Sequence, residues 1–148
     1  MKALTCCCVI IAAGLAFAAA GGQWQTDYDK ALAAAKAENK NVFVNFTGSD
    51  WCGPCIALHK RVFSKKEFLN YANKNLILVE VDYPKTKSLP DEIKKQNERL
   101  KYQFNINKVG FPTYALIDSG GKLLGTHTGY DDEKPADIIA QIEKWAKP

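Results

Sequence analysis

The sequence predicts a single α/β domain built on a mixed central β-sheet with helices on both faces. Three observations predict it. At 148 residues the chain has room for one ordinary domain and little more. Helix-like and strand-like segments alternate in the order α-β-α-β-α-β-β-α. The first two strand candidates are nearly continuous apolar runs, as parallel strands buried on both faces require, while the last two read as a hairpin. A βαβ unit followed by a helix and a hairpin gives parallel and antiparallel pairing in one sheet.

Each element has a local reason. Thr26 followed by Asp29 resembles a capping box, and residues 31–37 are rich in helix formers, so residues 27–39 read as a helix. Asn39-Lys40-Asn41 interrupts it, and residues 42–46 read as a mostly buried strand. Gly48-Ser49-Asp50 makes a loop into Trp51-Cys52-Gly53-Pro54-Cys55. Pro54 suits the first turn of a helix, where its missing N–H costs nothing, and that helix is expected to run uninterrupted to Val62. Ser64-x-x-Glu67 reads as a second capping box that restarts the helix as far as Asn73.

Residues 76–81 form the second apolar strand. Residues 90–103 are highly charged, with Ile93, Leu100 and Phe104 spaced as a narrow apolar stripe, which describes a solvated surface helix. Residues 113–118 and 122–128 form the hairpin around Ser119-Gly120-Gly121. Pro135 opens a last helix with Ile138, Ile139, Ile142 and Trp145 on one face. No internal repeat or low-complexity linker divides the chain.

The first twenty residues differ from the rest. Lys2 is their only charge, residues 9–17 are apolar apart from Gly14, and Ala18-Ala19-Ala20 follows. A basic start, a short apolar segment and small residues at −3 and −1 read as a secretory signal peptide over residues 1–20, cleaved after Ala20 or alternatively after Ala18, with the domain spanning 23–148. The competing reading is an uncleaved anchor, since the apolar length borders on that of a membrane span. Cys6, Cys7 and Cys8 fall inside this segment and act as apolar filler, leaving Cys52 and Cys55 for the domain. Export to the periplasm or outside the cell places that pair where disulfides persist. The net charge of +4 falls to +3 without Lys2, with both signs interspersed, so no basic stripe suggests a nucleic-acid partner.

The chemistry concentrates in Cys52-Gly53-Pro54-Cys55, between a strand and a helix. A cysteine at a helix start faces unpaired N–H groups and the positive end of the helix dipole, which favour thiolate. Cys52 takes that position as the more exposed sulfur. Cys55, one turn on, is close enough to close a disulfide with it and to resolve a mixed disulfide. Two alternatives stay open. One is an inert disulfide, which in so short a loop would stabilise little. The other is a metal site of Cys52, Cys55 and His59, which lacks the second Cys pair of a structural zinc centre.

The chain resembles the thioredoxin superfamily from about Val42 onward. The resemblance rests on Trp51-Cys52-Gly53-Pro54-Cys55, on Val109-Gly110-Phe111-Pro112-Thr113 and on Gly129 after the hairpin. It implies a thioredoxin-like fold and a thiol–disulfide oxidoreductase with Cys52 as nucleophile and Cys55 as resolving thiol. Trp51, Gly53 and Pro54 would shape the active-site loop. Pro112 would be cis, and Phe111 would offer its backbone to an extended substrate strand. The stretch 46–52 together with 79–84 looks closer to exported bacterial relatives than to cytosolic thioredoxin.

Two departures stand out. If one extra loop residue is allowed, the superfamily's buried Asp before the motif falls at Asn45, and the Lys that pairs with it falls at about Leu78. Removing both is self-consistent, because removing one would strand a buried charge. Proton removal from Cys55 then needs water or another base; Asp50 and Glu80 are candidates by sequence proximity only, and a solvated surface role is the simpler reading for each. The kinking proline of the helix is also missing.

Other residues carry weaker expectations. His59, four residues after Cys55, could tune its pKa, although a surface role is the simpler reading. Lys60, Arg61, Lys65 and Lys66 read as a solvated face, Trp51 and Tyr130 as walls of the site, and Trp24, Tyr28 and Trp145 as core or termini.

Gly-Pro between the cysteines resembles the reducing members. The expected function is an exported, monomeric reductant of protein disulfides, recharged by a membrane-linked thiol electron donor, without cofactor or metal. The alternatives are a disulfide oxidase or isomerase, and a non-catalytic module for metal delivery or thiol binding.

Overall fold

A computed structural model describes residues 23–147. The expected signal peptide lies outside the described residues. Its elements are β1 (Trp24–Gln25), α1 (Tyr28–Glu38), β2 (Asn41–Thr47), α2 (Gly53–Leu58) running into a π-helical turn (His59–Phe63), and α3 (Lys66–Asn75). There follow β3 (Leu76–Asp82), α4 (Asp91–Gln103), α5 (Ile106–Val109), β4 (Thr113–Ile117), β5 (Leu123–Thr128) and α6 (Pro135–Ala146). Among the described residues no helix is long and apolar enough to cross a membrane.

The five strands form one mixed sheet in the order β1-β3-β2-β4-β5, which bears out the expected thioredoxin-like fold. β3 runs parallel to both β1 and β2, whereas β4 is antiparallel to β2 and to β5. Alternation along the strands supplies two cores. Val42, Val44 and Phe46 of β2 share one face with Ile77, Val79 and Val81 of β3, covered by Tyr28, Ala31 and Ala35 of α1 and Leu100 of α4. Phe43, Leu76, Leu78, Tyr114 and Leu116 point the other way, under Leu58, Val62, Phe63, Phe68, Ile138 and Ile142. Helices therefore cover both faces. Burying each Val, Leu, Ile or Phe among them stabilises the fold by about 1.5–3 kcal/mol, and aromatic edge contacts such as Phe43–Phe63, at 5.5 Å between centroids, add to it.

The structure corrects several local expectations. The cap of α1 is Asp27, not Thr26: its carboxylate accepts the Lys30 N–H at 3.0 Å. The helix after the cysteines is not uniform to Val62. It widens at His59, where the Ser64 N–H reaches back five residues to the His59 carbonyl at 2.9 Å. Ser64 caps nothing. Its hydroxyl donates to the Lys60 carbonyl at 3.1 Å, and α3 starts at Lys66 without a side-chain cap. β1 and α5 were not foreseen. β1 seats Trp24 against Phe43, Phe63 and Phe68, with centroids 5.4–6.4 Å apart.

Candidate active site

The two central strands deliver the site to one end of the sheet. β2 ends at Thr47, and residues 48–51 turn the chain over so that the Cys52 N–H donates to the Gly48 carbonyl at 2.9 Å. Cys52 then caps α2 in extended backbone geometry, and its sulfur accepts the Cys55 N–H at 3.3 Å. Pro54 lies in the first turn, as its lack of an N–H favours. Cys52 and Cys55 are disulfide-bonded, with Cα atoms 5.2 Å apart. Both residues are buried, Cys52 at 6% exposure and Cys55 at 3%.

β4 brings the second motif alongside. Thr113 pairs with Phe46, so Pro112 precedes the strand at the level where β2 ends. The Phe111–Pro112 bond is cis. Phe111 stands edge-on to Trp51 at 5.8 Å and packs on Tyr83 at 5.1 Å. The Gly129 N–H donates to the Pro112 carbonyl at 2.9 Å, and the Thr113 hydroxyl donates to the Gly110 carbonyl at 2.8 Å, which fixes both flanks of the proline. Trp51, 40% exposed, is held by its Nε1–H on the Tyr83 carbonyl at 2.8 Å and by the Lys85 ammonium 4.3 Å above its ring. Ile56 and Val109 are also exposed, so an apolar rim surrounds the buried disulfide.

The acidic residues divide into two roles. Asp50 accepts from the N–H groups of Lys85 and Thr86 at 2.9 and 2.7 Å and from the Thr86 hydroxyl at 2.5 Å. The Thr86 hydroxyl, followed by those two N–H groups, holds its carboxyl well below the usual carboxylate range. Asp82 accepts the Ser49 N–H and hydroxyl at 2.9 and 2.5 Å. The two carboxylates thereby tie the 48–51 loop to the end of β3 and to the loop after it. Glu80 is different: among the described residues it makes no hydrogen bond or ion pair. Burial foremost, and the Asp82 charge second, raise its pKa, with His59 and Lys87 opposing.

Asn45, at 3% exposure, has an Oδ1 with no hydrogen-bond partner, and Leu78 is fully buried in the core, so neither superfamily charge survives at those positions. His59 is exposed at the start of the π-helical turn. Lys60, Arg61, Lys65 and Lys66 are exposed as expected, and Arg61 pairs with Asp132 across the groove beside Gly53 and Pro54 that Tyr130 also lines. No group of three or more His, Cys, Asp or Glu is placed to hold a metal among the described residues.

The latch formed by Ser49, Asp50, Asp82, Tyr83, Lys85 and Thr86 was missed. Its partners stand more than thirty residues apart, and no local pattern marks them. The facing of Glu80 carried a usable signal, because it shares strand parity with Leu76 and Leu78.

Residues 23–119 match a family model described as thioredoxin-like. The chain is 35% identical over 130 residues to the disulfide bond reductase DsbH of Chlamydia pneumoniae, covering 88% of this chain and 76% of that protein. The thioredoxin-related protein DsbJ of the same organism is 37% identical over 86 residues, 58% of this chain and 25% of DsbJ. A solved structure of a DsbH oxidoreductase matches with a TM-score of 0.76 at 34% identity, covering 86% of each chain.

Proposed function

This chain belongs to the thioredoxin-like family and is a thiol–disulfide oxidoreductase, and from that premise we propose that it works as an exported reductant of protein disulfides. The single observation that carries the assignment is the placement of the cysteine pair: Cys52 caps the helix start with its sulfur receiving the Cys55 N–H, and Cys55 follows inside the first turn. In the reduced form the same N–H and the helix dipole favour a Cys52 thiolate.

The thiolate attacks one sulfur of a substrate disulfide. A Cys52–substrate disulfide forms, and the other substrate sulfur leaves as thiolate. Cys55 then loses its proton and attacks the Cys52 sulfur. The Cys52–Cys55 bond closes, the second substrate sulfur departs, and two electrons have passed from protein to substrate. Phe111 and Pro112 supply the backbone edge for an extended substrate segment. Trp51, Gly53 and Pro54 shape the rim over which it approaches.

The Gly-Pro dipeptide supports the reducing direction, as does similarity to a relative named as a disulfide reductase. The pattern of residues 1–20 supports export, with the domain from residue 23 onward. A membrane-linked thiol donor would restore the dithiol, and the protein would act as a monomer. Equilibration of the pair against glutathione tests the direction: a potential below about −230 mV is expected, and one near −120 mV would make it an oxidant. Reduction of insulin disulfides tests the roles. Cys52→Ser should abolish turnover, Cys55→Ala should trap substrate as a mixed disulfide, and trapping by Cys52→Ser instead would reverse the two.

A further inference from the structure

We propose that Glu80 takes the proton from the Cys55 thiol as Cys55 resolves the mixed disulfide. This rests on the reading of Cys55 as the resolving thiol. The need for an acceptor follows from burial: Cys55 is 3% exposed, and a thiol reacts only as thiolate. The β2–β3 ladder makes Asn45 and Glu80 direct partners. Strands in a sheet lie about 4.8 Å apart, and parity puts both residues on the face that Leu58 and Val62 cover through Phe43 and Leu78. That face lies beneath the helical segment that starts at Cys52 and carries Cys55.

The neighbouring carboxylates are already committed. Asp82 is held by Ser49, and Asp50 by Lys85 and Thr86. Among the described residues Glu80 alone of the three makes no hydrogen bond or ion pair. Beside it the Asn45 Oδ1 is buried and lacks a donor. A carboxylate cannot supply one, but a protonated Glu80 can donate its O–H there, so the orphaned oxygen stabilises the state that Glu80 reaches after taking the proton. The groups facing Glu80 are Asp82 on its own strand, His59 on the helical segment above and Lys87 in the following loop. Burial and Asp82 raise its affinity for a proton, and His59 and Lys87 oppose them.

The balance is closed. The Cys55 proton moves to Glu80, the Cys55 thiolate attacks the Cys52 sulfur, the internal disulfide forms, and the substrate sulfur leaves with the bonding pair. Glu80 later returns the proton to solvent.

The aromatic disulfide dithionitrobenzoate separates the two steps, because each releases one coloured thiolate. The fully reduced protein is mixed with it in a stopped-flow instrument across a range of pH. In Glu80→Gln the first release should match the native protein, and the second should slow roughly a hundredfold at neutral pH. The gap should close as pH rises past the ordinary thiol pKa of about 8.5, and Glu80→Asp should recover most of the rate. An unchanged or faster second release overturns the proposal. So does equal slowing of both releases with no dependence on pH, which would mark a structural role. Cys55→Ala keeps the two levels apart: if it still gives both releases, the resolving assignment fails whatever Glu80→Gln does.

Discussion

Gly48→Ala probes how the site holds its most exposed aromatic. A Cβ at Gly48 would sit 2.6 Å from Trp51 Nε1 and 2.7 Å from Cζ2. Ordinary contact needs about 3.5 Å, so the indole must move by about 1 Å. Gly48 does not occupy left-handed backbone, and backbone strain adds nothing to the comparison. The Nε1–H to Tyr83 bond, 2.8 Å long, would stretch beyond useful length. The Lys85–Trp51 contact and the edge-on contact with Phe111 would weaken with it. Allowing about 1 kcal/mol for the hydrogen bond and about 0.5 for each of the other two gives a loss of about 2 kcal/mol.

Urea unfolding followed by far-ultraviolet circular dichroism reads the loss directly, at unchanged slope. Insulin reduction should fall in parallel if Trp51 shapes the approach to Cys52 as proposed above. Gly53→Ala is the control, since a Cβ there meets nothing within 4 Å. A Gly48→Ala protein within about 0.5 kcal/mol of native, a typical surface value, would refute the claim that the indole is locked by close approach.

Two further predictions concern charge. The Asp50 carboxyl has a lowered folded pKa, so its contribution to stability is complete above the unfolded value of about 3.9 and is lost as pH falls through the folded one. Melting temperature should therefore fall more steeply with acid in the native protein than in Asp50→Asn, and parallel curves would refute the latch. Asn45→Asp places a second, buried carboxyl opposite Glu80, where two negative charges cannot coexist cheaply. It should destabilise the protein by about 2 kcal/mol or more at neutral pH. Its folded pKa is raised, so stability should return below about pH 4; a pH profile matching native would place Asn45 and Glu80 out of electrostatic reach.

The legible part of the fold was the part specified by long runs. Residues 42–46 and 76–81 announced buried strands because apolar residues occupy both parities, and Pro54 and Pro135 marked helix starts that the structure keeps. β1 escaped because two residues carry no period, and its strand identity comes from pairing with Leu78 and Val79. The π-helical turn escaped because closure over five residues has no composition of its own. Thr26 and Ser64 show the opposite failure. Each has the right chemistry for a cap, but Asp27 stands one residue nearer the helix, and the Ser64 hydroxyl is taken by the turn behind it. In the site, the cysteines and Pro112 were legible as a local motif. The latch was not, since Asp50 and Lys85 meet only once the sheet brings their loops together.

The absence of charge at Asn45 and Leu78 now has a physical setting. Leu78 is fully buried between β1 and β2 among Phe43, Leu58 and Phe63, where an ammonium would have no water and no acceptor. A carboxylate at Asn45 without that ammonium would be a buried ion alone, costly by several kcal/mol. Glu80 lies two residues further along the same face, toward the open end of the sheet, and is half-buried instead of sealed. There His59 and Lys87 partly offset its charge while Asp82 raises its proton affinity. A titratable carboxyl is thus kept close to the cysteine helix without an ion pair in the core. The arrangement trades a fixed buried pair for a single group whose protonation state can change, and on that property the role proposed for Glu80 depends.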